Sequence, residues 1–407
     1  MTSAPSSMHL YRPGVLSALE SGMEVTVERL LNPGPSSLTL SDQWVAGRSL
    51  PLGQVTEPLR PFDATLPDEH RSRNNQLLWH AMAQVEPALF AACRCFGPDR
   101  IGVVLGTSTS GVDENLPAFR HIADGGQWQD SAFSQAHQLL CSPVDFIQAQ
   151  YGLSGIGYAI STACTSGARA LASAARLLKL GLCDAVLCGG VDSLSLLTIN
   201  GFASLEVVSA RVARPFATDR DGINIGEAAA VFLMTRAPMP SFPEGEPIGL
   251  LGYGASSDAW HMSSPRPDGE GAMQAIQAAL QGARLSAGDL GWINLHGTGT
   301  AQNDAMESLA VVQTLGADVP GTSTKPHTGH TLGAAGALEA AIVWGFVSRQ
   351  LNPSGALPAQ GNERDPSLAP LRLTRPGDRW PSGRRLGLST SFAFGGNNMA
   401  LIMGDTA

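Results

Sequence analysis

The chain has 407 residues, of which 43% are hydrophobic and only 15% are charged, and its formal net charge is −9. An average soluble domain is about 25% charged, so this composition indicates a large core or further burial in an oligomer. The negative charge excludes a global basic field that would attract nucleic acid. The length allows two or three domains, or one large layered domain.

The cysteine pattern and the chain start exclude further classes. The six cysteines contain no CxxC pair, so no tetrahedral zinc site is expected. The start, MTSAPSS, lacks the charged and apolar regions of a signal peptide. No run of 18 or more apolar residues occurs, which predicts no membrane span. We therefore expect a cytoplasmic protein with reduced thiols.

The predicted elements of the first half alternate between helix and strand. About the first eight residues are expected to be loose, and residues 25–70, rich in Pro, Gly and Ser, to form loops and short strands. The further elements are a helix at 74–95, a strand and Gly/Ser/Thr turn at 101–111, a helix at 165–181 with Gly181 as its C-cap, and strands at 185–190 and 228–234.

The second half begins after a proline-rich connection at 238–247 and repeats the alternation. Its predicted elements are a strand at 248–257, a helix at 271–284, a strand and loop at 292–300, a helix at 333–350, a strand and glycine turn at 385–396, and a strand at 398–404. This alternation predicts α/β layering with buried sheets.

One cysteine has a position suited to chemistry. Cys164 lies where a strand-like run meets the start of an Ala-rich helix. The positive end of a helix dipole favours the thiolate, which is the nucleophilic form. The alternative is a buried structural cysteine, the usual fate of this residue. We interpret Cys93, Cys95, Cys183 and Cys188 in that structural way.

Two segments downstream supply histidines. His296 ends a strand in NLHGTGTAQND, where glycines allow close approach by a substrate. The segment KPHTGHTLGAAGALE supplies Lys325, His327 and His330 before a helix of small residues. It lacks the GxxxxGK[ST] pattern of a phosphate-binding loop, and no third ligand spacing supports a metal. His327 is taken as incidental, and a core or turn histidine remains the alternative for His296.

A fourth segment, STSFAFGGNN, places Phe392 and Phe394 beside a pair of glycines. The glycines permit unusual backbone angles, although an ordinary β-turn with core aromatic residues fits equally well. Each of the four signals is weak or moderate when it is taken alone.

Taken in order and at these separations, Cys164, HGTGT, KxxTGH and SFxFGG resemble the motifs of chain-elongating β-ketoacyl-(acyl carrier protein) synthases. The resemblance extends over about residues 70–405. It includes RPFATDRDGINIGEAAAVFLM and GYGASSDAWHMSSP, the latter close to the version in type II elongating synthases. Residues 1–70 match poorly, because MHLYRPGVLSAL stands where the family has an opening strand and a TGxG turn.

The resemblance implies an α/β, thiolase-like fold, in which two similar halves pack as five layers, αβαβα, and work as a dimer. We expect the halves at 1–243, with the nucleophilic cysteine, and at 244–407, with the two histidines. Cys164 would take an acyl group from an acyl carrier protein as a thioester. Backbone N–H groups of Cys164 and Phe394 would form the oxyanion hole.

The resemblance also implies the second half of the reaction. His296 and His330 would stabilise the negative charge that builds on a malonyl thioester as carbon dioxide leaves. The resulting carbanion would attack the acyl group and give a 3-oxoacyl product two carbons longer. Lys325 and Glu307 would position the histidines and water, with Asp258 nearby.

No redox cofactor and no required metal are implied. Some relatives hold a monovalent cation beside the site, and Asn294 and Glu339 map to its ligands. Thr390 stands where the family usually has asparagine, so this sequence departs from the pattern there.

The remaining implied residues concern the acyl chain and the partner. Phe392 and Phe394 match a mobile aromatic gate, and Thr109 maps to the wall of the acyl pocket. A smaller, polar residue at that wall would admit a different chain.

Acyl carrier proteins are acidic, so a local basic patch must offset the net charge of −9. Arg71, Arg73, Arg211 and Arg214 are the candidates, with a solvated surface as the alternative for each. The loop at 203–213 is several residues shorter than in common relatives.

Three other classes of protein share parts of this pattern. Polyketide chain-length factors lack the active cysteine, which this chain keeps as Cys164. Priming synthases and thiolases use Cys-His-Asn or Cys-His-Cys sets, which the TGH histidine disfavours. The third alternative is a specialised polyketide or aryl-polyene ketosynthase, a homodimer or a heterodimer with a non-catalytic sister, and the stretch EHRSRNNQLLWHAMAQVE favours the aryl-polyene type.

Overall fold

The computed structural model describes residues 7–242 and 246–406. The strands are β1 (Met8–Leu10), β2 (Gly14–Ser17), β3 (Glu20–Ser21), β4 (Thr39–Val45), β5 (Arg48–Leu52), β6 (Ile101–Gly106), β7 (Gly157–Ile160), β8 (Ala185–Asp192), β9 (Ala228–Thr235), β10 (Ile248–Ser257), β11 (Trp292–Asn294), β12 (Gly321–Thr322), β13 (Leu386–Ala393) and β14 (Asn397–Asp405). The helices are α1 (Met23–Leu31), α2 (Arg73–Met82), α3 (Glu86–Phe96), α4 (Leu116–Ala123), α5 (Gln135–Gln138), α6 (Ser142–Tyr151), α7 (Ser166–Lys179), α8 (Leu196–Ser204), α9 (Glu270–Ala283), α10 (Ala301–Leu315), α11 (Lys325–Thr328) and α12 (Ala335–Val347).

Two groups of five strands share one topology. The spatial order is β7-β6-β8-β9-β1 in the first group and β12-β11-β13-β14-β10 in the second. In each group the first three strands are parallel and the last two pairings are antiparallel. The expected pair of similar halves is therefore confirmed. The division expected between residues 243 and 244 falls in the segment 243–245, which lies outside the described residues.

The layers follow from the helix contacts. Helices α7 and α12 pack against each other; α7 contacts β6 and β8, and α12 contacts β13 and β14. Helices α2, α3 and α6 contact the first group of strands, while α9 contacts the second group and packs on α10. The five-layered αβαβα architecture is thus confirmed. Within the described ranges, no helix has the length and apolarity needed to cross a membrane.

Small residues allow the two central helices to approach closely. A Cβ added at Gly167 would lie 2.8 Å from Cβ of Ala337, and one at Gly336 would lie 2.7 Å from Cβ of Ala168. Glycine is needed at such contacts because a larger residue would force the helices apart. This packing brings the start of α7, next to Cys164, close to the start of α12.

The end of α7 confirms the C-cap predicted at Gly181. Gly181 has φ +69°, and its N–H donates to the Leu178 carbonyl at 3.1 Å. The Leu182 N–H donates to the Leu177 carbonyl at 3.0 Å. This pair of hydrogen bonds is a Schellman motif, and it ends the helix where the glycine allows a left-handed turn.

Two predictions in the first hundred residues were wrong. The helix expected at 74–95 is two helices, α2 and α3, and Pro87 stands in the first turn of the second. Proline is tolerated there because its missing N–H would have no helical partner. The segment 25–70 was expected to form loops and short strands, yet its residues 25–31 belong to α1. Residues 1–6 lie outside the described residues, and Met8 already belongs to β1.

Candidate active site

The turn before α7 holds the cysteine. Ala163 has φ +51°, an uncommon conformation for a residue with a side chain. The Thr162 N–H donates to Oγ of Ser166 at 2.9 Å, and this Oγ donates to the Ala163 carbonyl at 2.6 Å. The turn therefore places Cys164 just before the helix N-terminus, where it is only 5% exposed.

Three side chains from separate motifs meet at this point. Nε2 of His330 lies 2.9 Å from Sγ of Cys164, and the ring centroids of His296 and His330 lie 5.3 Å apart. One ligand-type atom of each residue lies within 4.8 Å of the other two, and all three residues are buried. The chain thus brings together the cysteine and the two histidines that the sequence singled out.

Burial sets the protonation of the Cys164–His330 pair. Burial raises the pKa of Cys164 to about 12, although the charge of Lys325 and the N–H of Phe394 lower it. Burial, together with the charge of Lys325, holds the pKa of His330 well below its usual value. The resting pair is therefore a neutral thiol that donates to a neutral imidazole. Burial therefore opposes the thiolate that the helix start favours.

Lys325 sets the tautomer of His296. Its ammonium lies 3.3 Å from Nδ1 of His296 and 2.5 Å from the carbonyl oxygen of the same residue. An ammonium can only donate, so Nδ1 accepts and the imidazole proton sits on Nε2. Burial and the Lys325 charge lower the pKa of His296, which keeps the ring neutral. His296 is therefore prepared to donate a hydrogen bond from Nε2.

Glu339 holds Lys325. The two residues form an ion pair in which both side chains are almost fully buried. Burial raises the pKa of Glu339 to about 7, and the Lys325 charge opposes that change. A buried charge needs such a partner. From the sequence, Glu339 was expected only as a candidate cation ligand. Its position as the single acidic residue of the apolar helix α12 is the signal that pointed to a buried ion pair.

Glu307 fixes the backbone of His296. One carboxylate oxygen accepts from the His296 N–H at 2.8 Å and from the Thr390 hydroxyl at 2.8 Å. The other oxygen accepts from the Gly297 N–H at 2.7 Å. Burial raises the pKa of Glu307 to about 7, whereas these donors lower it. Glu307 thus orients the turn after β11, which supports the positioning role expected for it.

Asp258 braces the glycine turn that carries Phe394. The Asp258 N–H donates to the Gly396 carbonyl at 2.8 Å, and Nδ2 of Asn398 donates to Oδ1 of Asp258 at 2.7 Å. The other oxygen accepts from the Arg266 N–H at 3.1 Å. The Phe394 N–H reaches Cys164, so these bonds aim an oxyanion donor at the nucleophile.

Of the residues mapped to a monovalent cation, Glu339 leaves an oxygen unused. The Glu339 Oε2 and Ser389 Oγ atoms are buried and have no hydrogen-bond partner within 7–242 and 246–406, and the same holds for Nδ2 of Asn294. Free carboxylate and hydroxyl oxygens suit a hard cation. Glu339 is therefore the mapped residue that has a free oxygen for such a cation, while Thr390, at the position of the usual asparagine, donates its hydroxyl hydrogen to Glu307.

A cavity opens over the three reactive side chains. Phe392 and Phe394 both line it; the Phe392 ring lies 6.0 Å from the ring of His296, and the Phe394 ring lies 5.4 Å from that of Phe202. The lining residues are Cys164, Phe202, Val207, Ile223, Asp258, Pro265, His296, Thr298, Thr300, Asn303, His330, Phe392, Ala393, Phe394 and Asn398. Sequence reasoning missed the polar group at 298–303, whose signal was the hydroxyl-rich run after the histidine.

Thr109 does not line this cavity and belongs to a turn held by Asp192. The Thr109 and Ser108 N–H groups lie 3.4 and 2.8 Å from one oxygen of Asp192, and the Thr107 hydroxyl donates to it at 2.7 Å. The Gly333 N–H donates to the other oxygen at 2.6 Å. Asp192 therefore ties this turn to the segment that follows His330. The sequence feature that could have identified Asp192 is an acidic residue at the end of the apolar strand β8.

The two arginines near α2 are engaged within the chain. Nε of Arg71 donates to the Leu66 carbonyl at 3.0 Å. Arg73 pairs with the buried carboxylate of Glu227, and the closest N···O distance is 2.6 Å. These contacts turn both guanidinium groups toward the protein, so their expected docking role stays a prediction.

The two later arginines are also paired. Arg211 lies 3.0 Å from a carboxylate oxygen of Asp219 and 3.1 Å from one of Asp221. Arg214 lies 2.5 Å from the same carboxylate of Asp219. These pairs are about half exposed, so a partner can still reach them, but the neighbouring acids reduce the positive potential.

Two like-folded halves that share a buried cysteine and two histidines define a condensing enzyme of thiolase-like fold. Residues 74–238 match the family model of the beta-ketoacyl synthase N-terminal domain, and residues 249–355 match that of the C-terminal domain. The chain therefore belongs to the beta-ketoacyl synthases and is an acyltransferase that elongates acyl chains.

The named relatives include both a 3-oxoacyl-[acyl-carrier-protein] synthase and a polyketide ketoacyl synthase. The chain is 30% identical to a 3-oxoacyl-[acyl-carrier-protein] synthase 2 of Rhizobium meliloti over 96% of each chain. It is 33% identical to the tetracenomycin polyketide synthase ketoacyl synthase alpha subunit of Streptomyces glaucescens over 66% of each. A solved Xenorhabdus doucetiae complex of a ketosynthase with its chain length factor contains a chain that is 40% identical, with TM-score 0.87 and full coverage of both chains.

Proposed function

We propose that Cys164 carries an acyl group that is condensed with malonyl-acyl carrier protein, giving carbon dioxide and a 3-oxoacyl-acyl carrier protein two carbons longer. One observation carries this assignment: His330 contacts the sulfur of Cys164 at 2.9 Å, and His296 lines the same buried cavity. A nucleophile with one neutral imidazole beside it and a second within reach suits thioester exchange followed by carbanion formation.

In the first step the thiol proton passes to Nε2 of His330 as the sulfur attacks the acyl thioester. The backbone N–H groups of Cys164 and Phe394 stabilise the oxyanion of the tetrahedral intermediate. The intermediate collapses, the carrier's thiol leaves with the proton from His330, and the acyl group remains on Cys164. Because burial disfavours the thiolate, this proton transfer to His330 is needed for attack.

In the second step the two imidazoles act as donors. Malonyl thioester loses carbon dioxide, and the negative charge that develops on its carbonyl oxygen accepts from the Nε2–H groups of His296 and His330. The carbanion attacks the acyl carbon, the bond to Cys164 breaks, and the released thiolate takes up a proton from solvent. His330 can accept first and donate later because no described residue holds its Nδ1.

The direct test is acylation followed by extension. Wild-type protein, incubated with an acyl-acyl carrier protein, should gain the acyl mass on Cys164, while Cys164→Ala should not. His296→Ala should accept the acyl group and fail to extend it with malonyl-acyl carrier protein. An acyl adduct that persists on Cys164→Ala would overturn the assignment of the nucleophile.

A second candidate is a specialised polyketide or aryl-polyene ketosynthase that works with a chain-length-factor-like sister. The observation that favours it is the 40% identity to a chain of a ketosynthase–chain length factor complex. Exposed Phe119, Trp128 and Phe133, whose ring centroids lie 5.6–6.2 Å apart, offer an apolar surface for such a sister. Turnover by the purified chain alone would favour a homodimer; turnover only with the sister would favour the heterodimer. We also propose that the protein is cytoplasmic.

A further inference from the structure

Phe216 combines full burial with a backbone conformation that bulky residues rarely adopt. Its side chain is completely buried, and its φ is +64°. A bulky residue at positive φ is an outlier, because its Cβ crowds the backbone. Such a conformation persists only where the surrounding contacts hold it, and residues in such conformations cluster at active sites. The contacts of Phe216 therefore show what its conformation serves.

The backbone of Phe216 is held on both sides by hydrogen bonds. Its N–H donates to Oδ2 of Asp304 at 2.7 Å, and its carbonyl accepts from the Asp365 N–H at 2.7 Å. Nη1 of Arg220 donates to a carboxylate oxygen of Asp365 at 2.7 Å, which fixes that residue in turn. The other oxygen of Asp304 accepts from the Gly299 N–H at 3.2 Å. Asp304 therefore joins Phe216 to the glycine turn that follows His296.

The ring of Phe216 lies against the same turn. A Cβ added at Gly297 would lie 2.8 Å from Cε2 of Phe216 and 2.5 Å from Cβ of Ser323. Gly297 also has φ +34°, so a side chain at this position would be strained as well as crowded. The Phe216 ring and Ser323 therefore confine Gly297.

The position of Gly297 is coupled to that of His296. The Gly297 N–H donates to Glu307 at 2.7 Å, and the Gly297 carbonyl accepts from Oγ of Ser323 at 2.6 Å. The peptide that joins His296 to Gly297 also contains the carbonyl oxygen that Lys325 contacts at 2.5 Å. A shift of Gly297 would therefore disturb the contacts that orient the His296 imidazole.

A role in the core alone does not account for the conformation of Phe216. Phe216 belongs to a cluster of buried side chains that includes Ile293 and Leu295. Burial in this cluster stabilises the fold, but residues with ordinary backbone angles achieve the same burial. The left-handed backbone of Phe216 instead accompanies its bond to Asp304 and the contact of its ring with Gly297.

We propose that Phe216 is a positioning residue for the malonyl-dependent step. Its ring holds Gly297 in place and thereby keeps the His296 imidazole directed at the malonyl carbonyl oxygen. The acylation of Cys164 depends instead on His330, which belongs to another segment. This inference rests on the proposed function, since it concerns the second step of the proposed reaction.

The test separates the two steps in variants of Phe216. Phe216→Leu removes the ring, whereas Phe216→Met keeps more of the side-chain volume without a rigid plane. Phe146→Leu is the matched control, because Phe146 is also completely buried but belongs to the core cluster around α2, α3 and α6. Mass spectrometry of the intact protein follows the acylation of Cys164 by acyl-acyl carrier protein, and then a single extension by malonyl-acyl carrier protein. Thermal unfolding records the stability of each variant.

Phe216→Leu should be acylated within about twofold of the wild-type rate and should extend the acyl group about 10–100-fold more slowly, because a small misplacement of a reacting group is costly. Phe216→Met should show the same split with a smaller loss, and it keeps the test valid if Phe216→Leu does not fold. Phe146→Leu should lose stability and keep both rates.

Three results would overturn the positioning role of Phe216. They are equal losses in acylation and extension, an unchanged extension rate in both Phe216 variants, and an extension by Phe146→Leu that is as slow as that of Phe216→Leu. A wild-type protein that is not acylated, or that is acylated and does not extend, would instead contradict the proposed function.

Discussion

The Lys325 ammonium lies 3.3 Å from Nδ1 of His296 and contacts the carbonyl oxygen of the same residue at 2.5 Å. One side chain therefore fixes both the position and the tautomer of the imidazole. Glu339 pairs with Lys325 from the buried helix α12, so the charge stays in place without solvent. The ion pair between Lys325 and Glu339 contributes to stability, whereas the contact between Lys325 and His296 contributes to the reaction. The two contributions can be measured separately.

Replacing Lys325 with methionine should lower both the stability of the fold and the rate of malonyl-dependent extension. Lys325→Met leaves Glu339 buried without its partner, which should destabilise the fold by about 3–5 kcal/mol. It also frees the His296 tautomer, and loss of one oxyanion donor typically lowers kcat by about 10²–10³. Urea unfolding and malonyl-dependent extension measure the two effects.

The matched control is the double variant Lys325→Met/Glu339→Gln. Removal of both charges should recover most of the stability and little of the extension rate. If extension returns together with stability, Lys325 acts only through folding, and the tautomer argument is wrong.

Cys164 should react slowly with a simple alkylating agent. Because burial raises its pKa to about 12, its thiolate fraction near pH 8 should be on the order of 10³-fold below that of an ordinary cysteine. Its iodoacetamide rate, followed by peptide mass spectrometry, should rise about tenfold per pH unit between pH 8 and 10. Exposed Cys95 is the internal comparison. A rate that is already constant below pH 8 would show a preformed thiolate.

The raised pKa of Glu307 predicts that the stability of the fold depends on pH. Its folded pKa of about 7 lies above the unfolded value, so the folded protein binds this proton more tightly. The stability that comes from this group is therefore fully present below the unfolded pKa and is lost as pH rises through about 7. At about 1.36 kcal/mol per pKa unit, the difference in unfolding free energy between wild type and Glu307→Gln should fall by about 2–3 kcal/mol from pH 5 to pH 8. A difference that does not change with pH would contradict the raised pKa.

Variants of Arg73 test whether this basic residue binds the acyl carrier protein or stabilises the fold. Arg73→Ala leaves buried Glu227 unpaired and should destabilise the protein by about 3 kcal/mol. The double variant Arg73→Ala/Glu227→Gln should regain stability, and the docking role predicted from the sequence requires that its KM for the acyl carrier protein stay raised. An unchanged KM in the double variant would contradict that role.

Gly106 tests the contact that places the nucleophile's helix. Gly106→Ala pushes a Cβ against the backbone of Ser166, and such overpacking should cost about 1–3 kcal/mol and slow the acylation of Cys164. Gly181→Ala is the control, since Gly181 has φ +69° and open space around it. The control should lose about 1 kcal/mol through its left-handed backbone and keep its acylation rate. Equal acylation in both variants would contradict the placement role.

The sequence was informative where local chemistry and periodicity agree. The apolar runs at β8 and β9 and the Ala-rich helix α7 were predicted nearly to their ends, because burial on both faces leaves few alternatives. Cys164, His296 and His330 were found from motif order, and the fold brings them together as that order implies.

Predictions failed where tertiary contacts decide the outcome. Helix α1 contains Val25, Thr26 and Val27, which favour strand, and it forms because it packs on α12, where a Cβ at Gly345 would lie 2.3 Å from Met23. The pairing of Arg73 with a carboxylate 154 positions away cannot be read from local pattern. The protonation of Cys164 also depends on its burial, which the spacing of motifs in the sequence does not reveal.

The most direct test of the central claim is a single turnover on protein acylated at Cys164. Mixed with malonyl-acyl carrier protein, the acyl-enzyme should lose its adduct as carbon dioxide and a 3-oxoacyl-acyl carrier protein two carbons longer form in equal amounts. The same protein with His296→Ala should keep its adduct. Extension at the wild-type rate by the His296 variant, or by Cys164→Ala, would contradict the account.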